Sequence, residues 1–341
     1  MAVKMLMFDT KDMERDLVLS DKFFEPRFYT HPLNSETVIN IGAEERDSAS
    51  VLNVFVDSRV TKEVLNHFKN LQIITTRSTG YNHIDLEECR KRDITVINVP
   101  DYGMKAVSQY TIGLILALVR RIVPATIAMK QLKTVDVSLM GKDLSEMTLG
   151  IIGCGAIGQG VAEIANKFGM KILGYDLMAN ANGMKHDFIE FVTTKELLQN
   201  SDIISLHVPY TGSNYHMIGK KELEMMKDDA YLINTARGEL VDTVALYEIL
   251  KSGKLAGVAL DVVECEEISF NIGDLVKMLS KSTCNCLSRS LIVRKLAEME
   301  NVIITPHMAY YTSSAIKHIT TTLLNNVKDH FKGHHCDNKV Y

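Results

Sequence analysis

Residues 148–158 read TLGIIGCGAIG, which sets Gly153, Gly155 and Gly158 at the spacing G-x-G-x-x-G. An apolar run (Leu149, Ile151, Ile152) precedes them, a helix-like stretch follows over 161–168, and a second apolar run, KILGY, ends at Asp176. Strand, tight turn, helix, strand and acid in that order suit a dinucleotide. The first glycine permits the turn, the second lets a pyrophosphate approach the backbone, the third packs helix against strand, and the acid meets ribose hydroxyls. The helix start at Ala156 and Ile157 offers unpaired N–H groups and a partial positive charge to the phosphates. Asp176 suits a ribose 2′-hydroxyl and repels a 2′-phosphate. Its neighbours Leu177, Met178 and Ala179 include no arginine to bind one, so NAD is expected rather than NADP.

A nicotinamide cofactor carries the hydride; the protein must orient a substrate carbon and manage one proton. Three side chains qualify by position. Arg237 follows the run YLINTA and enters a turn at Gly238. A guanidinium there can grip a carboxylate with a two-point fork and polarise a neighbouring carbonyl. His307 ends the run NVIITP, and histidine is the natural proton donor near neutral pH. Glu266 stands in the acidic cluster DVVECEE, and a carboxylate beside a histidine fixes its tautomer and raises its pKa. On position alone each has a plain alternative: a surface arginine at a strand end, one loop histidine among eleven, a solvated acidic loop.

The elements that must hold these residues read as alternating strands and helices. Before the glycine turn, the runs at 3–8, 51–56, 71–76 and 94–99 are rich in Val and Ile without two-residue alternation, as buried parallel strands are. Helices fit 61–69 and 85–91, with Thr61 and Asp85 as N-caps. A long helical pattern over about 105–133 is interrupted at Pro124 and suits either a core helix or a dimer surface. After the turn come strands at 201–209, 229–238, 254–262 and 301–307, with helices at 220–226 and 239–251. This is an α/β chain with doubly wound parallel sheets, whose ligand lies outside the carboxyl ends of the strands. His207, Thr235 with Arg237, Asp261 and His307 close those runs. A last helix over about 312–332 carries one apolar stripe, Ile316, Ile319, Leu323, Leu324 and Val327, which must cover something. The natural target is the first unit. The chain is therefore expected to form a discontinuous domain, 1–101 plus 309–341, with residues 102–308 as an inserted domain, and a cleft between them that opens and closes on substrate.

The 341 residues suffice for two domains. A net charge of −4 gives no basic field for nucleic acid or an anionic membrane, and no apolar run is long enough to span a bilayer. The start, MAVKMLMFDT, lacks the apolar region and cleavage site of a secretory signal. The six cysteines are scattered without a CxxC pair and read as reduced thiols of a cytoplasmic protein. His334–Cys336 reads as a solvated tail, so no metal site is expected.

Taken together, GCGAIG with Asp176, SLHVP (205–209), INTARGELVDT (233–243), GVALDVVECEE (257–267) and VIITPHMAYYT (302–312) resemble the D-isomer-specific 2-hydroxyacid dehydrogenases, in order and spacing from about 70 to 315. Further details resemble the D-lactate dehydrogenase branch, which includes the VanH-type enzymes of vancomycin resistance. The resemblance implies a Rossmann NAD domain inserted into a flavodoxin-like substrate domain. It implies that His307 protonates a ketone oxygen, that Glu266 pairs with it, and that Arg237 anchors carboxylate and carbonyl. Thr79 and Gly80, in TRSTGYNHID, then hold the substrate carboxylate through backbone N–H groups, and Tyr102 and Tyr310 face the substrate. His207, Val208, Pro209, Asn214, Thr235, Ala236 and Asp261 join the glycine turn as cofactor contacts. The implied reaction is reduction of pyruvate to D-lactate by a homodimer associated through its NAD domain. A bulkier branched-chain or aromatic 2-keto acid, and a non-catalytic NAD-sensing protein, are the alternatives. The chain departs from the family pattern at Gly103-Met104 and Gln109, and the segment 267–290 carries little pattern.

Overall fold

The computed structural model describes residues 2–100, 103–131, 139–178, 187–269 and 284–341. The chain divides into two compact units, Met1–Tyr102 with Tyr311–Tyr341, and Gly103–Tyr310.

The first unit is built on five parallel strands in the order β2-β1-β3-β4-β5: β1 (Val3–Met7), β2 (Phe24–Phe28), β3 (Val51–Val54), β4 (Ile73–Thr76) and β5 (Thr95–Ile97). This is the flavodoxin-like strand order. Every residue of β3 and β4 is buried, which is why their sequences, Asn53 apart, are apolar or β-branched without alternation. β2 escaped the sequence reading. Its sequence FEPRF has no apolar run and contains Pro26, which an edge strand tolerates because one side of its backbone has no ladder partner. Among the helices, α1 (Asp12–Leu19) and α2 (Ala43–Ser48) precede β2 and β3. Next, α3 (Lys62–Leu65) and α4 (Leu86–Lys91) are capped by Thr61 and Asp85, as expected, though α3 is shorter than the pattern suggested. The terminal helix (Ser313–Phe331) belongs to this unit. It packs on α1 with Ile316, Ile319, Leu323, Leu324 and Val327 buried, and Lys328 pairs with Asp21.

A charged residue lies in the middle of this unit. Arg77, only 2% exposed, donates to Asn53 Oδ1 and to the carbonyls of Phe8 and Asp9, and pairs with Glu14 at 3.1 Å. It ties the carboxyl ends of β1, β3 and β4 together.

The second unit contains seven parallel strands in the order β12-β11-β10-β9-β6-β7-β8. They are β6 (Thr148–Ile152), β7 (Lys171–Tyr175), β8 (Ile189–Phe191), β9 (Ile203–Leu206), β10 (Ala230–Asn234), β11 (Leu255–Leu260) and β12 (Val302–Ile304). Counted from β6, this is the Rossmann order with one further strand, and the order reverses between β6 and β9. Helices α5 (Met104–Val119), α6 (Ile122–Lys130), α7 (Ala156–Lys167), α8 (Thr194–Asn200), α9 (Lys220–Met225), α10 (Thr243–Lys251), α11 (Glu266–Ser269) and α12 (Cys284–Ala297) accompany the sheet; the terminal helix is α13. Apolar cores line both faces: one joins α5 and α7 to the sheet, the other α8, α9, α10 and α12.

The helical pattern at 105–133 breaks at Arg120–Arg121, where Arg121 takes φ 53°, and not at Pro124. Pro124 sits in the first turn of α6, where its missing N–H has no intrahelical partner to lose. Among the described residues no single helix is long and apolar enough to cross a membrane; α5 and α6 reach that composition only together, and they meet at 63°. Half of the α5 residues are buried, among them Ile112, Leu114, Ile115 and Leu118.

Candidate active site

The glycine turn follows β6. Gly153 has φ +96°, and a Cβ there would lie 2.7 Å from the backbone of His207, so both conformation and space demand glycine. Gly155 caps α7, and a Cβ on it would meet nothing within 4 Å, which leaves the helix start open to a phosphate group. At Gly158 a Cβ would fall 2.0 Å from the Gly153 carbonyl oxygen, so this glycine brings α7 against the turn. Asp176, at the end of β7, accepts the backbone N–H of Cys154 at 2.8 Å with one oxygen and that of Met178 at 2.8 Å with the other. A cleft of about 570 Å³ opens beside it, lined by Tyr175, Asp176, Phe191, Val192, Thr193 and Lys195 among others. An open helix start, a glycine cradle and a carboxylate beside a cleft at strand ends are what a dinucleotide needs, and the residues fit NAD.

The other expected cofactor residues gather at the same sheet edge. His207 Nε2 shares a 2.8 Å hydrogen bond with Ser205 Oγ, and burial pushes its pKa down to about 3, so the ring is neutral. Val208 packs over Gly153. Asn214 closes the turn after β9: it donates to the Pro209 carbonyl at 2.8 Å and accepts from Thr211 N–H at 3.0 Å. Thr235 and Thr111 share a hydroxyl–hydroxyl bond of 3.0 Å. The Ala236 N–H donates to Asn234 Oδ1 at 3.0 Å, while Asn234 Nδ2 donates to the Arg237 carbonyl at 2.8 Å. Asn234, 1% exposed, thus clamps the turn that presents Arg237. The sequence reading passed over it, although a polar residue ending an otherwise apolar strand was the available signal.

Arg237 is extended and half-buried, and its guanidinium donates to the Ala236 carbonyl at 2.7 Å. Gly238 follows because a Cβ there would lie 2.1 Å from the carbonyl of Val263. The Arg237 turn and the loop after β11 therefore lie backbone to backbone.

That loop brings Glu266 to His307. His307 Nδ1–H donates to Glu266 Oε2 at 2.8 Å, and Glu266 Oε1 accepts from the Val263 N–H at 3.3 Å. Burial and the nearby Arg237 charge pull the histidine pKa down. The hydrogen bond and negative charge of Glu266, helped by Asp261, outweigh them and hold it above its ordinary value. The backbone of His307 is left-handed, φ 49°, a conformation costly for a side chain other than glycine. Asp261 holds it. One carboxylate oxygen accepts from Thr305 Oγ1 at 2.6 Å and Met308 N–H at 3.0 Å, the other from Ala309 N–H at 2.8 Å. Asp261 is 1% exposed. A buried carboxylate must be paired, and this one is paired to the histidine turn. The Tyr310 ring stands edge-on to His307 at 6.4 Å between centroids.

In the first unit, Thr79 follows β4. Its hydroxyl donates to the carbonyls of Val99 and Pro100 at 3.3 and 3.0 Å, and its own carbonyl accepts from Asn98. The backbone N–H groups of Thr79 and Gly80 donate to none of the described residues. Tyr102 lies outside the described residues.

One expectation changes with the fold. Cys265, beside Glu266, is bonded to Cys286 of α12, with Cα atoms 5.7 Å apart, although the cysteines read as reduced thiols. The pair is 21 residues apart in sequence, so spacing carried no sign of it. Cys89, Cys154 and Cys336 are free and buried, and burial pushes the first two up to about 12.

Residues 112–309 match the family model of the D-isomer specific 2-hydroxyacid dehydrogenase, NAD binding domain. The chain is 38% identical over 261 residues to an aromatic 2-oxoacid reductase of Clostridium sporogenes, covering 76% of this chain and 75% of the relative. It is 39% identical over 259 residues to a D-specific alpha-keto acid dehydrogenase of Enterococcus faecium, 76% of each chain. Among solved structures it is similar to a D-lactate dehydrogenase of Aquifex aeolicus complexed with NAD and lactic acid, with a TM-score of 0.83, 36% identity and 98% coverage of both chains. The chain belongs to the D-isomer-specific 2-hydroxyacid dehydrogenases, in the D-lactate dehydrogenase branch, and is an NAD-dependent oxidoreductase of D-2-hydroxy acids.

Proposed function

We propose that the protein reduces small 2-keto acids with NADH, with pyruvate to D-lactate as the leading reaction. The observation that carries this reading is the Glu266–His307 pair, 2.8 Å apart, with the histidine pKa raised and Arg237 close enough to act on it. When bound, NADH supplies the hydride that reaches the keto carbon. Glu266 occupies Nδ1, so the proton leaves His307 from Nε2 for the keto oxygen. Arg237 grips the substrate carboxylate and polarises the carbonyl. Thr79, Gly80, Tyr102 and Tyr310 are the further substrate contacts that the family resemblance implies. Asp261 and Asn234 hold the His307 and Arg237 turns. His207, Val208, Pro209, Asn214, Thr235, Ala236 and Asp261 surround the cofactor, and Asp176 takes the ribose.

An aromatic 2-keto acid is the second reading, supported by the Clostridium sporogenes relative. A panel of 2-keto acids with NADH, followed by absorbance loss, separates them: pyruvate should give the highest kcat/KM, and phenylpyruvate doing so would favour the second. His307→Ala should lose kcat while keeping NADH affinity; a near wild-type rate would remove His307 as proton donor.

We also infer a homodimer through the NAD-binding unit. Ile122, Val123, Ile127 and Met129 of α6 are 50, 37, 48 and 59% exposed, an apolar face suited to a second copy. Light scattering at micromolar concentration should return twice the 38.2 kDa chain mass. We also propose a cytoplasmic location, where the Cys265–Cys286 bond would meet reducing conditions and its redox state is a direct test of the compartment. Rapid alkylation of cells followed by mass spectrometry reads that directly.

A further inference from the structure

Behind the Glu266–His307 pair lies a second carboxylate that takes no part in the reaction above. Glu264 is 2% exposed and stands two residues before Glu266, with Cys265 at φ 54° between them. Its Oε1 accepts from His216 Nε2 at 2.9 Å and from the Tyr215 hydroxyl at 3.3 Å, and forms an ion pair with the Arg289 guanidinium at 3.1 Å. Its Oε2 accepts from the backbone N–H of Thr243, the first residue of α10, at 3.1 Å. The donors brace one another. Tyr215 stacks on His216 at 3.8 Å, Arg289 lies over the Tyr215 ring, and Asp242 reaches His216 Nδ1 at 3.6 Å.

This investment has a location. A buried carboxylate costs several kcal/mol unless it is fully paired, and Glu264 is paired by three separate elements: the 215–216 turn, the start of α10, and α12. Its own carbonyl accepts from Ser269 Oγ at 3.1 Å, and that hydroxyl also bonds Ser290 Oγ at 3.1 Å, which fastens α11 to α12 as well. The loop after β11 is thus fixed at Asp261 by the His307 turn, at Val263 by Gly238, and at Glu264 by these donors. Glu266 is the next carboxylate along, and its aim at His307 depends on that loop.

We infer that Glu264 is a positioning residue for proton transfer: by binding His216, Arg289 and the start of α10, it holds the loop that aims Glu266 at His307. The inference rests on the dehydrogenase reading and names a residue outside its reacting groups. The charged groups acting on His307 are Glu266, Arg237 and Asp261. Those around Glu264 are His216, Arg289, Tyr215 and Asp242. Glu264 therefore reaches His307 through Glu266, not through its own charge.

The test is Glu264→Gln, which keeps shape but presents an amide N–H₂ where donors converge, with Arg289→Met as a second variant that removes one donor on α12. Both are assayed with pyruvate and NADH under one fixed thiol condition, and the His307 ring is titrated by NMR. A misaimed catalytic group costs up to about 100-fold. Glu264→Gln should lower kcat at least tenfold, leave the NADH KM within twofold, and move the His307 midpoint to lower pH. Arg289→Met should move both in the same direction by less. A His307 midpoint unchanged in the folded variants overturns the inference, whatever happens to Tm, because a mere staple would alter stability alone. If Glu264→Gln does not fold, Arg289→Met decides. If the wild-type protein turns over no 2-keto acid, the substrate reading fails, while the NMR midpoint still judges the role of Glu264.

Discussion

Replacing Glu266 with glutamine isolates what the carboxylate contributes to His307. The amide keeps an acceptor for Nδ1–H, so the tautomer and ring position survive, but the negative charge at 2.8 Å is gone. A hydrogen bond to a charged group contributes about 1.5–3 kcal/mol, which corresponds to roughly 10- to 100-fold in the protonated fraction of the imidazole at alkaline pH. The opposing influences remain: burial and Arg237 both pull the pKa down. The sign follows. Keto-acid reduction needs the protonated ring, so its rate falls as pH rises through the histidine pKa. In the wild type that pKa lies above the ordinary 6.5; in the variant it drops. Glu266→Gln should therefore shift the alkaline limb of kcat/KM for pyruvate reduction to lower pH and lose about 10- to 100-fold at pH 8.5. Near pH 5 the loss should be much smaller, and NADH affinity by fluorescence titration should be unchanged. Stopped-flow absorbance over pH 5–9 gives the profile. An alkaline limb that stays in place refutes the reasoning, since Glu266 would then not be what keeps the ring charged.

Gly153→Ala places a Cβ 2.7 Å from the His207 backbone at φ +96°; NADH affinity should fall at least tenfold, read by fluorescence, since the conformational penalty alone is about 1–2 kcal/mol. Arg77→Met strands Glu14, only 4% exposed, without its partner at 3.1 Å, and urea unfolding of the first unit should show a loss of about 3–5 kcal/mol. Acid should destabilise the fold through two buried histidines. Burial holds His83 down at about 4 and His207 at about 3, so below about pH 6.5 the unfolded chain binds protons that the native chain refuses. Tm should decline from there toward pH 4, and a Tm flat across that interval would contradict it.

Local chemistry was legible in the sequence wherever it repeats a short-range rule. The glycine turn was readable because backbone conformation and close packing allow only glycine at Gly153 and Gly158. The caps at Thr61 and Asp85 were readable because a side-chain oxygen must meet helix N–H groups within a few residues. The interior strands announced themselves through burial on both faces. β2 did not, because an edge strand needs no such run, and Pro124 misled because a proline in a first helical turn breaks nothing.

What only the tertiary structure decided is which distant residues share one environment. Arg237, Glu266 and His307 could be nominated from their positions at run ends. The 2.8 Å contact that raises the histidine pKa depends on two loops from neighbouring strands meeting. Asn234, Asp261 and Glu264 look alike in sequence, as polar residues at or just beyond a strand end. Their partners lie up to 49 positions away, so only the folded chain shows that one holds Arg237, one holds His307, and one holds the loop of Glu266. The Cys265–Cys286 bond has the same origin. Short-range rules belong to the sequence because backbone sterics and hydrogen bonding act between neighbours. Charge and burial act through space, and that space exists only once the sheets have formed.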